Sequence, residues 1–436
     1  MFEAQHFAER RNRLIHSMGA GVAIIPTAPE VVRNRDSHFS YRFDSYFYYL
    51  TGFTEPEAVL LLMAGDQPRS ILFCRDKDME REIWDGFRYG PEGAKKKFGF
   101  DETYSISRLD ELAPQLMANQ TKLFYSLGAD AVWDTRIAGW LNHLRAQGRS
   151  GVSAPTEVSD IRVLLDDMRL IKSAEEVDAM RRAANISAQA HTRAMQITRP
   201  GKMEYEVEAE LLHHFYRHGS RSPAYTSIVA GGANACVLHY VENNQQLNDG
   251  DLLLIDAGCE LEGYASDITR TFPVNGRFSS AQKDVYELVL AAQTAAIDKI
   301  RPGSHWNQPH EAALEVLVQG FIDLGLCKGT VEAVLESGDY RRFYMHRTGH
   351  WLGLDVHDAG EYKQSNGEWR LLEPGMTLTV EPGCYIRPAD DVSEHFWNIG
   401  IRIEDDALVT RDGCEIMTSA VPKTVAEIEQ VMAAVR

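Results

Sequence analysis

Positive charge is scarce in this chain: 45 Lys and Arg stand against 63 Asp and Glu, a formal net charge of −18 over 436 residues. The deficit excludes the basic footprint of a nucleic-acid surface and gives no attraction to an anionic membrane. Long apolar runs are missing too. No uncharged apolar stretch approaches the ~18 residues of a spanning helix. The N-terminus, MFEAQHFAERRNRLIHSM, is charged and amphipathic, without a signal-peptide core. Cysteine is sparse and scattered, at positions 74, 236, 259, 327, 384 and 414, with no CxxC pair. In so large a chain this fits buried or free thiols in a reducing cytoplasm better than a disulfide frame or a zinc knuckle. What remains is 44% hydrophobic and 25% charged, an ordinary globular composition with enough length for two domains.

Linkers are absent as well: no Gly/Ser-rich or Pro-rich stretch divides the chain. A change of texture does. Up to about residue 170, short strand-like runs (22–25, 59–63, 70–74, 122–125) alternate with helical stretches such as 108–118, the pattern of a small α/β domain. Ser173 is then followed three residues later by Glu176, a capping box that opens a long helix. The expected organisation is an N-terminal α/β domain over 1–170 and a second domain over 171–436, packed closely together.

The second region contains a repeat. GDLLLIDAG (250–258) and GMTLTVEPG (375–383) share one nine-residue frame, with Asp256 and Glu381 at the matching place. Each is preceded by an Arg-Pro-Gly break and an amphipathic helix, at Arg199-Pro200-Gly201 and Arg301-Pro302-Gly303. Each is followed by a glycine four residues ahead of another acid, Gly263 to Asp267 and Gly400 to Glu404. The runs 252–255 and 377–380 read as strands buried on both faces, each ending at a carboxylate, with a further carboxylate on a second strand after a turn. A buried acid is costly unless it is paired or bound to a metal. One could be a core hydrogen bond and two a structural pair, but four at repeat-matched places describe a hard-oxygen cage for divalent cations.

Imidazole is close at hand. MHRTGHWLGLDVHD holds His346, His350 and His357 among glycines that permit close backbone approach, and His239 lies ahead of the first carboxylate strand. A lone histidine is usually a satisfied core or surface residue. One imidazole added to four carboxylates makes a two-metal site that generates hydroxide near neutral pH. Arg402, two residues before Glu404 and so on the same strand face, is placed to pair with a ligand carboxylate, although a plain surface-strand arginine has the same pattern.

The set Asp256, Asp267, His350, Glu381 and Glu404 resembles the dimetal site of the pita-bread metallopeptidases. GHWLGLDVHD, IDAGCELEGYASDITRTFPVNG, LEPGMTLTVEPGCYI and GIRIEDD, with YRFDSYFYYLTGFTEPEAVL and EIWDGFRYGPEGA in the first domain, are similar to the aminopeptidase P branch of that family. The resemblance implies a creatinase-like N-terminal α/β domain followed by a pseudo-two-fold pita-bread catalytic domain. Asp256 would chelate one metal, Asp267 and Glu404 would bridge both, and His350 with Glu381 would complete the other. Manganese is the expected ion. Arg402 would join Asp256 and Tyr385 in one network. The implied reaction is release of the N-terminal residue from peptides with proline second. A metal-bridging hydroxide is the nucleophile, and Glu381 carries its proton to the leaving nitrogen. His239 and His357 would steady the intermediate and flank the proline, and His346 would line the same pocket.

Arg347 departs from the family pattern, which has a small residue after the first histidine of this stretch, and bears on the pocket entrance. The first domain is expected to join subunits of a homo-oligomer, dimer or tetramer, and to close over the pocket. Trp84 would either reach a neighbour's site or be an ordinary exposed tryptophan. The nearest rival is a prolidase, which has the same metals but must capture a dipeptide's C-terminal carboxylate. Non-catalytic scaffolds of this fold lack the ligands, and creatinase-like amidinohydrolases work without the metal cage.

Overall fold

The structure, a computed structural model, describes residues 2–434. The chain divides into two compact units, Met1–Met168 and Arg169–Arg436.

In the first unit the apolar runs form a six-stranded mixed sheet, in the order Glu102–Ser105, Arg69–Cys74, Val59–Ala64, Gly21–Pro26, Lys122–Phe124, Glu157–Ser159. The three central strands are antiparallel neighbours, and Val59–Ala64 is buried along its whole length. The parallel pairs Arg69–Cys74 with Glu102–Ser105, and Lys122–Phe124 with Glu157–Ser159, are joined through helices, as parallel strands require. The helix expected over 108–118 is Leu109–Met117, entered through a short 3-10 turn at Ile106–Arg108.

The second unit opens with the helix Ala174–Ile197. Its capping box is formed: the Ser173 N–H donates to the Glu176 carboxylate at 2.9 Å, and the Glu176 N–H donates to Ser173 Oγ at 3.4 Å. Two helices pack in each half, Ala174–Ile197 with Glu204–Arg217 and Ser280–Ile297 with Gln308–Asp323. The repeated frames become the strands Leu252–Asp256 and Thr377–Val380, apolar and buried up to the carboxylate end. Leu252–Asp256 lies between Ile228–Gly231 and Thr269–Pro273, both antiparallel to it. Thr377–Val380 pairs with Asp405–Val409 on one side.

On its other side runs the histidine stretch. Leu352 N–H donates to Thr377 O (3.1 Å), Thr379 N–H to His350 O (2.9 Å) and Glu381 N–H to Thr348 O (2.8 Å). The segment thus flanks Thr377–Val380 as Ile228–Gly231 flanks the first repeat. Gly349 permits this, because a Cβ there would lie 2.1 Å from Thr379 O. Gly258, which closes the first frame, is fixed by the same reason: its Cβ would meet Ser266 O at 1.6 Å.

One expectation is corrected. Asp267 and Glu404 do not lie within strands but just ahead of Thr269–Pro273 and Asp405–Val409. Here each backbone bonds to the other half. Glu404 N–H donates to Thr269 O at 3.1 Å, and Asp267 N–H to the Asp406 carboxylate at 3.2 Å. These cross-bonds replace the ladder and turn both acids toward one place. Beneath them Arg270 and Lys423 hold the buried Asp405 at 2.7 and 2.8 Å. Among the described residues no helix is long and apolar enough to cross a membrane.

Candidate active site

Asp256, Asp267, His239, His346, His350, His357, Glu381, Arg402 and Glu404 all line one cavity of about 800 Å³. Its centre is acidic. Ligand atoms of Asp267, His350 and Glu404 lie within 4.8 Å of one another. Nε2 of His350 is 3.4 Å from Asp267 Oδ2 and 3.7 Å from Glu381 Oε1. Its Nδ1 lies 2.9 Å from Trp351 O, so Nε2 faces the acids; against its burial, Asp267 and Glu381 push the ring up to about 9, and without metal it carries a proton near pH 7.

Asp256 enters this group through two neighbours. The single Tyr225 hydroxyl proton is shared between Asp256 Oδ1 and Asp267 Oδ1. Arg402 Nη2 donates to Asp256 Oδ2 at 2.6 Å. Nη1 of Arg402 reaches the Tyr385 oxygen at 3.0 Å, and its Nε reaches Thr269 Oγ1 at 3.1 Å. Thr269 passes its own proton to Glu404 Oε2 at 2.6 Å. Tyr385 in turn lies 2.8 Å from His346 Nε2, while His346 Nδ1 lies 2.7 Å from Arg347 O. The network makes Nδ1 the donor and Nε2 the acceptor of the tyrosine proton. A continuous relay therefore runs Asp256, Arg402, Tyr385, His346. His346 Nδ1 is also 3.9 Å from Glu381 Oε2.

Charge at this density cannot persist alone. Burial, with the neighbouring acids adding to it, raises Asp256 and Glu404, and pushes Glu381 up to about 7. Only Asp267 goes down, because against its burial the charged His350, the Tyr225 hydroxyl and Arg402 together prevail. Burial and Arg402 drop His346 to about 3, and burial beside His350 lowers His357, so both rings are neutral near pH 7. Four convergent carboxylates and one oriented imidazole, whose Nε2 proton a cation would displace, are a donor set that divalent cations satisfy. The residues fit a metal pair.

His357 stands edge-on to His350, ring centroids 4.3 Å apart, and His239 lies across the same cavity. Neither belongs to the tight ligand group. Three contributors escaped the sequence reading: Tyr225, Thr269 and the aromatic wall of Trp306, Tyr362 and Trp369. Thr269 was within reach, two residues beyond Asp267 and on the same face. Tyr225 has no partner in the repeat. It faces Asp256 because the Ala224 N–H bonds to Gly258 O at 2.9 Å, a contact that only the fold supplies.

A cavity walled by repeat-derived acids in a duplicated α/β unit defines a metallohydrolase, and the comparisons assign the class. The family model for metallopeptidase family M24 matches residues 178–411, and the one for the aminopeptidase P N-terminal domain matches residues 7–125. The chain belongs to metallopeptidase family M24, with a pita-bread catalytic fold that follows an aminopeptidase P-type N-terminal domain in the sequence. It is 47% identical to a Haemophilus influenzae Xaa-Pro aminopeptidase, over 98% of this chain and 97% of that one. With the Escherichia coli Xaa-Pro aminopeptidase it shares 45% identity, over 99% and 98%. Among solved structures, Pseudomonas aeruginosa aminopeptidase PepP matches at TM-score 0.98 and 52% identity, covering 100% of this chain and 99% of that one. Zinc-substituted E. coli aminopeptidase P in complex with product matches at 0.97 and 44%, with the same coverage.

Proposed function

We propose that this protein is an Xaa-Pro aminopeptidase that hydrolyses the first peptide bond of chains with proline in second position, using two divalent metal ions. The observation that carries the reading is the convergence of the repeat-matched acids and His350 on one cavity, in a chain whose full-length relatives bear that name. Asp256, Asp267, His350, Glu381 and Glu404 would hold the ions. A site with one imidazole among carboxylates favours Mn²⁺ over softer ions. When bound, the ions supply Lewis acidity at the scissile carbonyl and an acidified water near neutral pH.

The chain's own residues do the rest. Glu381 takes the proton of the attacking water and delivers it to the proline nitrogen. Arg402 keeps Asp256 ionised and aligned, and Tyr385 transmits that order to His346. His239 and His357 flank the proline ring and donate to the oxygen on which charge develops. The first unit joins subunits into a homo-oligomer. In support, Met79, Ile83, Trp84 and Phe87 are exposed side by side along one short segment, Trp84 at 83%. Six free cysteines support residence in the cytoplasm.

Substrate length separates this reading from a prolidase. With Xaa-Pro and Xaa-Pro-Yaa at equal concentration, the longer peptide is cut faster, and blocking its amino terminus stops release. Hydrolysis of the dipeptide alone would make the protein a prolidase.

A further inference from the structure

We propose that Arg347, with Asn307 and Trp369, forms a carboxylate-binding subsite at the edge of the catalytic cavity, taking an acidic group carried by the peptide beyond its proline. The proposal rests on the exopeptidase reading above.

Two arginines line the cavity, Arg402 and Arg347, and they differ in what they have left to give. Arg402 is buried, its donors consumed by Asp256, Tyr385 and Thr269. Arg347 is exposed, and among the described residues its side chain makes one hydrogen bond, from Nη2 to the side-chain oxygen of Asn307. The remaining donors of its guanidinium fork are open to a ligand. The fork is also held in place. Its carbon lies 5.4 Å from the centroid of the Trp369 ring, and Asn307 is fixed in turn by its amide hydrogen bond to Glu311 at 2.6 Å.

A second cation shares the same indole: Lys363 Nζ lies 4.5 Å from the Trp369 centroid. Among the described residues, neither Arg347 nor Lys363 is ion-paired with a carboxylate. His310, close to Arg347, is dropped to about 4 by burial and adds no charge near pH 7. Two positive groups held against one ring, in a chain of net charge −18, make a local well for an anion that the rest of the surface repels. A guanidinium preset by stacking loses little freedom on binding a carboxylate and meets it with two donors.

Geometry also orients the substrate. An enzyme that removes one residue encloses the amino end at the metal ligands, so the chain after the proline leaves through the open edge. Arg347 is at that edge, one residue after His346. The group it meets is the C-terminal carboxylate of a short peptide or the side chain of an Asp or Glu after the proline.

Matched peptides separate these sources. kcat/KM is measured on the manganese-loaded full chain for Ala-Pro-Ala and its C-terminal amide, and for Ala-Pro-Glu-amide and Ala-Pro-Gln-amide. The charged member of at least one pair should be favoured by about tenfold, the size of one charge-assisted contact, and added salt should shrink the ratio. Preference in the first pair assigns the chain terminus, and in the second the side chain. In R347M the ratio should fall to about one, and R347K should lie between, keeping charge but losing the fork. Cleavage of all four peptides by the wild type with ratios near one would overturn the subsite and leave the exopeptidase standing. A ratio unchanged in R347M would overturn it too. No cleavage of any peptide would remove the exopeptidase reading and the subsite with it.

Discussion

Asp267 is held from three sides: its carboxylate by Tyr225 and His350, its backbone N–H by Asp406. Asp267→Asn keeps the shape and removes one charge from a position that faces both proposed ions. Turnover should fall by about 10²-fold or more, metal content should fall with it, and the far-ultraviolet circular dichroism should stay native. His357→Ala and His239→Ala should lower kcat by a similar factor while the bound metal, counted by plasma mass spectrometry, is unchanged. Stoichiometric metal loss in either histidine variant would place that residue among the ligands. At this scale the sequence was most readable where it repeats itself. Asp256 and Glu381 announce each other across the duplicated frame, and Gly258 closes that frame because Ser266 O leaves no room for a Cβ. Tyr225 stood 31 residues from Asp256 with nothing to point to it, since its role arises only when two strands pair.

The segment that carries His350 and His357 has no regular strand of its own and is tied down at both ends. Its start follows Thr377–Val380, and its end is fixed by Asp358, buried with Arg169 at 2.6 Å and Lys172 at 2.9 Å. All three side chains are 2% exposed or less, so the carboxylate balances two cations out of water. Asp358→Asn would take from Lys172 its buried carboxylate and from Arg169 one of its acids, the other being Asp355 at 2.8 Å, and urea unfolding should show a loss of about 3–5 kcal/mol. Because His357 is the adjacent residue, kcat/KM should drop in the same variant. A loss under about 1 kcal/mol would mean that water reaches the pair and screens it, as at a surface ion pair. Continuous apolar runs and a Ser-x-x-Glu box made the strands and the long helix legible. The histidine stretch was not, because glycines and aromatics erase the period that marks a strand. Nor was the place of Asp267 and Glu404 outside their strands, which hydrogen bonds between the two halves decide.

Over the whole molecule, the acidic centre links metal, proton and stability. Without metal, Glu381 titrates near 7 in the fold against an ordinary value of 4.5, and Asp256 and Glu404 are raised as well. An acid raised in the folded state favours folding below its unfolded pKa, and that contribution is lost as pH rises through the folded one. For Glu381 the loss falls between about 4.5 and about 7. Cations bind the same oxygens once protons leave and restore the stability by mass action. The rise in Tm on adding Mn²⁺ should therefore be larger at pH 8 than at pH 5, read by differential scanning calorimetry. An equal rise at both pH values would detach the ions from these carboxylates. The compact units divide between Met168 and Arg169, and the texture of the sequence changes near residue 170. The cavity wall of Trp306, Tyr362 and Trp369 was not, since aromatics distant in sequence converge only in the finished fold.

The proposed centre holds two metal ions and with them removes the residue before a proline. Its most direct test is to titrate the metal-free protein with Mn²⁺, counting bound metal by plasma mass spectrometry and following release of the first residue from Xaa-Pro-Yaa. No release is expected without metal, and the rate should reach its plateau as binding approaches two ions per chain. Release by exhaustively metal-free protein, or a plateau with no metal retained, would rule out a dimetal peptidase.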